Sequence, residues 1–346
     1  MQCPRLKHFI RLQPSGKIGK CGHMVDAKEF DTVEQLESSV WLKEIENKMQ
    51  NNIWPSECRR CQQTEEAMND SIRLKSIKRH KILYPKHKKY LVVGGVLDNI
   101  CNSACQTCNS KLSTKIGSLH NKKYFKFNNI ENFWKLPHDR ILEVDINGGE
   151  PTASKNYRAM LDGLRDTVRI VRINTNGSRI IPEVEQLLKQ KTMVIITMSF
   201  DGIDKTHDYV RWPIKFTNFK KTLNTYKELQ KKYKLLKINF WTTVSALNIC
   251  DFDNIIKFAK EQKIDHNWAY LNQPDALNVK YKNQFTTTAK TKLQNKEVLK
   301  HVAISKNNQN NLDLYIMKQD YLRKIHIKDY FNFVFQSSKS SSAKRL

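Results

Sequence analysis

The sequence predicts an α/β protein built around a parallel sheet. Two observations support this fold class: six short apolar runs rich in β-branched residues follow one another after residue 89, and helical stretches separate most of them. The length of 346 residues is enough for about two domains. Strands that alternate with helices favour parallel pairing through right-handed crossovers. The sheet is expected to be open or to close toward a barrel, because six strands are too few for a full eight-stranded barrel.

The first predicted element is a helix within residues 1–75, a segment that also holds four cysteines. Thr32 and Gln35 match a capping box at the start of this helix. Apolar residues then recur at every fourth position, as one face of a helix requires: Trp41, Ile45 and Met49. Pro55 is expected to end the helix just before Cys58 and Cys61.

A basic run that contains a proline follows at 76–89, and it predicts a solvated linker. The predicted strands lie at 90–96, 141–146, 168–174, 193–200, 236–244 and 266–271. The predicted helices between them lie at 157–166, 183–190, 219–233 and 252–262.

Four parts of the chain are therefore expected. A small cysteine-rich metal-binding domain spans 1–75, the linker spans 76–89, and the sheet domain spans 90–284. Residues 285–346 are polar and form a C-terminal extension that is expected to be partly helical and to end in a disordered tail at 337–346.

The charge of the chain invites a nucleic-acid interpretation, since 60 Lys and Arg against 34 Asp and Glu give a net charge of +26. The lysines are spread along the chain rather than gathered in one motif, so nucleic-acid binding is possible but not favoured. The sequence has no run of about 18 apolar residues, so no membrane span is predicted. The first residues lack the apolar stretch of a secretory signal. A cytoplasmic protein with reduced thiols is expected.

Three of the eight cysteines crowd into one short loop after the first predicted strand: Cys101, Cys105 and Cys108. A structural zinc site takes four ligands and a disulfide takes two. Three thiolates can instead bind three irons of a 4Fe–4S cluster and leave the fourth iron open. After the second strand, Gly148 and Gly149 permit close approach of a ligand to the backbone, and Glu150 can receive an ammonium group.

The order of these motifs resembles the radical S-adenosylmethionine (SAM) superfamily over residues 88–280. The motifs are CNSACQTC at 101–108, GGEP at 148–151, NTNG at 174–177 and SFDGIDKTHDYVRWP at 199–213. The resemblance implies a partial (β/α)6 TIM-like barrel. It also implies an enzyme whose 4Fe–4S cluster cleaves SAM reductively to a 5′-deoxyadenosyl radical, which abstracts hydrogen from a peptide, protein or small-molecule substrate.

The same resemblance implies roles for individual residues. The Cys101, Cys105 and Cys108 thiolates would bind the SAM cluster. The contacts to SAM would come from Gly148, Gly149 and Glu150 at the amino group, Ser199 at the ribose, and Arg211 at the carboxylate. Asp201 would orient the ribose loop, unless it only begins the turn at Gly202. An electron donor such as flavodoxin or ferredoxin is implied as a partner. No catalytic acid or base is identified.

The N-terminal cysteines resemble the auxiliary-cluster module called twitch, a shortened relative of the SPASM domain. The four residues are Cys3, Cys21, Cys58 and Cys61. The resemblance implies a second 4Fe–4S cluster here, although four cysteines also suit zinc. The module precedes the barrel, whereas in most relatives it follows. The layout is similar to small twitch-type proteins often encoded by bacteriophages, for which the host cytoplasm is the expected location.

Simpler interpretations stay open at this point. The glycine pair can be a tight turn, Ser199 a cap at a strand end, and Arg211 half of a surface ion pair. A non-catalytic zinc protein that binds nucleic acid through its charge is the alternative to the enzyme. The GGEP motif and the Ser199 and Arg211 positions favour the enzyme, because a zinc adaptor has no use for them.

Overall fold

The structure is a computed structural model of the chain, and it describes residues 1–83, 89–120 and 127–331. The predicted disordered tail at 337–346 lies outside the described residues. So do residues 84–88 of the predicted linker.

Strands with short connections to helices make up the main sheet. Its strands are β1 (Phe9–Leu12), β2 (Ile18–Gly19), β3 (Leu91–Val96), β4 (Ile141–Asn147), β5 (Ile170–Thr175), β6 (Met193–Ser199), β7 (Leu236–Val244) and β8 (Asp265–Tyr270). Their order in the sheet is β2-β1-β3-β4-β5-β6-β7-β8. A separate pair is formed by β9 (Tyr281–Lys282) and β10 (Ser305–Asn307).

The pairing confirms the predicted fold class. β1 pairs in parallel with β3, β3 with β4, β4 with β5, and β7 with β8. All six predicted strands are present as β3 to β8. Two further strands of the main sheet were not predicted from the sequence, because β1 and its antiparallel partner β2 are only 4 and 2 residues long and show no extended apolar run.

Fifteen α-helices occur among the described residues. They are α1 (Pro4–His8), α2 (Val33–Ser38), α3 (Val40–Gln50), α4 (Arg59–Met68), α5 (Ile72–Leu83), α6 (Thr114–Leu119), α7 (Ile130–Trp134), α8 (Lys155–Asp162), α9 (Glu183–Lys189), α10 (Asp204–Val210), α11 (Phe216–Lys232), α12 (Phe252–Gln262), α13 (Gln284–Lys292), α14 (Lys296–Leu299) and α15 (Gln309–Arg323).

The predicted N-terminal helix is two helices, α2 and α3. Thr32 caps the first, since its hydroxyl accepts a hydrogen bond from the Gln35 N–H at 3.2 Å. Ser39 ends that helix in an extended conformation and caps the second, where its hydroxyl accepts from the Leu42 N–H. A cap residue has non-helical backbone angles, so a second cap divides the run. The predicted apolar face lies on α3, whose buried residues include Trp41.

The basic run expected to be a solvated linker is helical in its described part, where it belongs to α5. Arg79 of this helix forms an ion pair with Glu143 of β4, which is completely buried. Arg172 of β5 donates to the same carboxylate at 2.9 Å. A buried carboxylate is costly unless it is paired. The ion pair with Glu143 therefore explains why Arg79, a cation of the basic run, faces the protein.

Packing in the sheet follows the alternation of β7, whose even-numbered residues from Leu236 to Val244 are buried and whose intervening residues are partly or fully exposed. On the buried face, the Phe240 ring lies 5.0 Å from that of Phe200 and 5.8 Å from that of Phe219 on α11. This aromatic cluster supports the carboxyl end of β6, where Ser199 is the last residue.

The described chain divides into two compact units. One comprises Met1–Ile100, Phe125–Ile173 and Ile181–Ile195, and the other Cys101–Tyr124, Asn174–Ile180 and Ile196–Leu346, counting in both only residues that the structure describes. Neither unit begins or ends at residue 75 or 284, the predicted domain boundaries. Within the described ranges, no helix has the length and apolar character needed to cross a membrane.

Candidate metal centre and cofactor site

The three clustered cysteines lie in a loop of the second unit, directly after β3 in the chain. The Ser103 hydroxyl lies between two of the thiols, 3.3 Å from the Cys101 sulfur and 3.5 Å from the Cys105 sulfur. Burial raises the pKa of the Cys108 thiol to about 12, and the neighbouring Cys105 and Cys101 groups add to this rise. The Cys101 and Cys105 thiols therefore share one hydroxyl neighbour, and the Cys108 N–H donates to the Cys105 carbonyl at 3.2 Å within the same loop.

Backbone hydrogen bonds hold this loop against the segment that contains Arg211. The Ala104 N–H donates to the Trp212 carbonyl at 2.7 Å, and the Gln106 N–H donates to the Val210 carbonyl at 2.7 Å. Two such bonds on either side of Cys105 fix its Cα relative to Arg211.

The NTNG motif supports the loop from another direction. The Asn176 amide donates to the Asn102 side-chain oxygen at 2.8 Å and to the Ser103 hydroxyl at 3.3 Å. The Asn102 amide in turn donates to the Ser178 hydroxyl at 3.1 Å. The sequence singled out this motif without assigning it a role, and its contacts show that it orients the residues between the cysteines.

Arg211 forms a buried ion pair rather than the surface pair that the sequence left open. Its Nη1 donates to Asp201 Oδ2 at 2.6 Å, with side-chain exposures of 11% and 1%. Burial alone would lower the pKa of Arg211, but the Cys105, Asp201 and Cys101 groups more than offset it and raise that pKa. The Arg211 Nε is buried and has no hydrogen-bond partner among the described residues, so it can still donate to a ligand.

Asp201 was predicted to orient the ribose loop or only to begin the turn at Gly202, and in the structure its carboxylate has two partners. Oδ2 accepts from Arg211, and Oδ1 accepts from the Thr243 N–H at 2.8 Å. The side chain is fully buried. These contacts orient Arg211, while Ser199, two residues earlier at the end of β6, is partly exposed.

The glycine pair lies in the first unit, directly after β4. The Gly149 N–H donates to the Asp98 carbonyl at 3.0 Å, and the Glu150 N–H donates to the Ile100 carbonyl at 2.7 Å. A Cβ on residue 149 would lie 2.0 Å from the Ile100 oxygen, so only glycine fits. The Glu150 carboxylate is buried and accepts from the Thr152 hydroxyl at 2.9 Å.

The Gly149→Ala substitution is therefore expected to destabilise the protein by about 1–3 kcal/mol, the usual cost of an overpacked site. The new methyl group must displace the backbone at Ile100, directly before the cysteine loop. Gly148→Ala is the matched comparison, because a Cβ there meets its nearest atom, the Asp98 oxygen, at 3.0 Å. Urea unfolding of both variants measures the difference. Equal stabilities would contradict the close approach at Gly149.

The four N-terminal cysteines come together in the first unit. All four line one small cavity of about 20 Å³: Cys3, Cys21, Cys58 and Cys61. Cys3 precedes α1, Cys21 follows β2, and the other two flank the start of α4. Burial raises the pKa of Cys3 to about 11 and that of Cys58 to about 12, with further contributions from the other thiols of the group.

Two arginines lie beside this cavity. The Arg5 Nε lies 3.2 Å from the Cys21 sulfur, to which it donates. Arg73 of α5 donates to the Gln2 carbonyl at 2.9 Å and forms an ion pair with Glu65 of α4. Through these two contacts, Arg73 joins Gln2, the residue before Cys3, to the helices α4 and α5. Cations beside thiolates favour the deprotonated form that metals bind.

The donor chemistry at both places fits iron–sulfur clusters. Among the described residues, no group of three or more His, Cys, Asp and Glu side chains is arranged to hold a single metal ion. A four-iron cluster takes one thiolate per iron, so its cysteines lie farther apart than the ligands of one ion. Three cysteines in one loop, and four around one cavity, supply the number of thiolates that such clusters would take.

Comparison with known proteins agrees with these features. A family model described as the radical SAM superfamily matches residues 96–259. The sporulation killing factor maturation protein SkfB of Bacillus subtilis (strain 168) is 26% identical over 133 residues, which is 38% of this chain and 31% of SkfB.

Two solved structures of anSMEcpe with bound AdoMet are more remote. The hexahistidine-tagged form has a TM-score of 0.39 at 19% identity and covers 53% of this chain and 52% of that one. The native form has a TM-score of 0.40 at 17% identity, covering 67% and 63%. The chain thus spans about a third of SkfB and about half of the tagged anSMEcpe chain. On the family match and the motifs within it, residues 96–259 of this chain are similar to the radical SAM superfamily.

Proposed function

We propose that this protein cleaves SAM reductively at a 4Fe–4S cluster bound by Cys101, Cys105 and Cys108, and that the resulting 5′-deoxyadenosyl radical abstracts hydrogen from a peptide or protein. One observation carries the proposal: the three cysteines lie in one loop, two of their thiols contact the same Ser103 hydroxyl, and the loop is hydrogen-bonded to the segment holding Arg211. When bound, the cluster supplies the electron for cleavage, and three cysteines leave one iron open to SAM.

The chain's own residues would bind and orient SAM. Arg211 offers a guanidinium to the SAM carboxylate, and Asp201 holds it in position from behind. Glu150 offers a carboxylate to the SAM ammonium from a turn that only glycine permits at residue 149. Ser199 offers a hydroxyl to the ribose from the end of β6. Asp201 therefore acts on SAM through Arg211 in this proposal, rather than by direct contact with the ribose.

Arg211→Ala is expected to weaken SAM binding by about 1.5–3 kcal/mol, the usual range for a hydrogen bond to a charged group. Isothermal titration of the cluster-loaded protein with SAM measures the change. Lys215→Ala is the control, since Lys215 is an exposed cation nearby that pairs with Asp208. An unchanged dissociation constant in the Arg211 variant, with its iron retained, would leave the residue only its ion pair with Asp201.

A second 4Fe–4S cluster is proposed at the N-terminal cysteines, because all four line one cavity. In the first unit, Cys3 and Cys21 lie near the amino end of β1, whereas Gly148–Glu150 follow the carboxyl end of the parallel strand β4. Strands β3 and β4, of 6 and 7 residues, separate these edges by roughly 20 Å at about 3.3 Å per residue. A cluster there would relay electrons or stabilise the fold, and it could not contact SAM at the glycine turn.

The proposed substrate class rests on the similarity of this chain to SkfB. SkfB is named for the maturation of a sporulation killing factor, and its similarity to this chain supports a peptide or protein substrate over a free small molecule. The strongly basic composition suits an acidic substrate or an acidic electron donor such as flavodoxin or ferredoxin. The zinc adaptor that binds nucleic acid is disfavoured, because it gives no reason for a radical SAM domain.

Anaerobic reconstitution with iron and sulfide tests the proposal. The protein should become brown, and dithionite with SAM should release 5′-deoxyadenosine, detected by mass. Candidate peptides with acidic segments should increase this release, and deuterium from a labelled peptide should appear in the 5′-deoxyadenosine. A colourless, zinc-containing protein that leaves SAM intact would overturn the proposed function.

A further inference from the structure

The C-terminal helix α15 contacts the cysteine loop through two side chains. Arg323 donates to the Ala104 carbonyl through Nε at 3.0 Å and through Nη2 at 2.8 Å. The Tyr315 hydroxyl donates to the Gln106 carbonyl at 2.7 Å. These carbonyls flank Cys105, whose neighbours already donate their N–H groups to the segment around Arg211. The backbone on both sides of Cys105 is thus bonded in two directions.

Arg323 is a buried cation whose hydrogen bonds, among the described residues, go to neutral oxygens. It is 4% exposed, and its third nitrogen donates to the Gln319 carbonyl and side-chain oxygen. Asp320 lies nearby, but its carboxylate accepts from the Tyr209 hydroxyl and the Ile327 N–H. Burial lowers the pKa of Arg323, and the Tyr315, Tyr209, Cys105 and Asp320 groups partly offset this effect.

A buried guanidinium is costly unless negative charge faces it. Thiolate ligands make a four-iron cluster anionic, and reduction adds one more negative charge. The net charge around a cluster and its polar surroundings set its reduction potential. A cation held beside Cys105 therefore stabilises the reduced cluster more than the oxidised one, because the attraction grows with the charge.

We propose that Arg323 is a positioning and electrostatic residue for the SAM cluster, which holds the Cys105 backbone and raises the reduction potential of the cluster. Tyr315 also holds the Cys105 backbone, but it does not raise the reduction potential, since its hydroxyl is neutral. The inference rests on the proposed function, because it requires a cluster at the three cysteines. It goes beyond the family match, since α15 lies outside residues 96–259.

The test is the midpoint potential of the SAM cluster in the full chain, measured by electron paramagnetic resonance during a redox titration. Arg323→Gln should lower the equilibrium constant for reduction roughly tenfold, which is a shift of about 59 mV to more negative potential for one electron. Lys318→Gln removes a charge from an exposed position of the same helix and should leave the potential unchanged.

Two further variants separate charge from positioning. Tyr315→Phe should keep the wild-type potential while hydrogen exchange in residues 101–108 becomes faster. Arg323→Lys keeps the charge but loses the paired contact with Ala104, so it should show faster exchange and a potential near that of the wild type. If Arg323→Gln does not fold, Arg323→Lys carries the test. A tenfold lower equilibrium constant for reduction in Arg323→Lys would then contradict the role of charge.

The outcomes distinguish this inference from the proposed function. A wild-type chain that binds no cluster at the three cysteines would overturn both. A cluster present with the same potential in the wild type and in Arg323→Gln would overturn the inference alone. Equal potential shifts in Tyr315→Phe and Arg323→Gln would also overturn it, since displacement of the loop would then explain the change.

Discussion

Replacing Cys105 with Ala is expected to abolish reductive cleavage of SAM. Cys105 is the buried member of the loop, between backbone contacts on both sides, and its loss leaves two thiolates where the cluster requires three. The measurement is 5′-deoxyadenosine release after anaerobic reconstitution, together with iron content. Iron at the N-terminal cysteines should remain, because those thiols belong to the other compact unit.

Cys250→Ala is the matched control for this experiment. Cys250 is half-buried, and its thiol donates to the Phe285 carbonyl at 3.2 Å, apart from both cysteine groups. Its replacement removes one thiol without touching either proposed centre, so iron and SAM cleavage should match the wild type. If Cys105→Ala released 5′-deoxyadenosine at the parent rate, the loop would not bind the SAM cluster.

Replacing Cys58 with Ala is expected to remove the N-terminal centre. Wild-type protein should bind about eight irons per chain, four for each four-iron cluster, and the variant should bind about four. About four irons and one zinc in the wild type would instead identify a structural zinc site. The measurement is metal and sulfide analysis of reconstituted protein.

The same variant should loosen the polypeptide around the cysteine cavity. α1, α4 and the turn after β2 meet there through the four thiols, and metal binding to such a small segment contributes directly to its folding. Hydrogen exchange should become faster in α4 and around Cys21, while the SAM-dependent signal persists. Replacement of all four cysteines with no change in metal content or exchange would contradict a centre at this cavity.

The sequence by itself determined the fold class, because periodicity is a local property. Alternating apolar runs and amphipathic stretches predicted β3 to β8 and most of the intervening helices, for example α12 at Phe252–Gln262. The sequence also predicted the cysteine loop as a candidate cluster site. The spacing of Cys101, Cys105 and Cys108 and the order of the later motifs can be read without knowledge of long-range contacts. The family match at 96–259 agrees with that identification.

Only the tertiary structure decided which groups are partners. It added β1 and β2 to the sheet, because two short strands are stabilised by pairing rather than by their own composition. It placed α5 against Glu143, because a buried carboxylate needs a cation from elsewhere in the chain. It also joined Arg323 to Ala104 across 219 positions, a contact that no local pattern encodes, since burial of the guanidinium arises only when α15 packs on the loop.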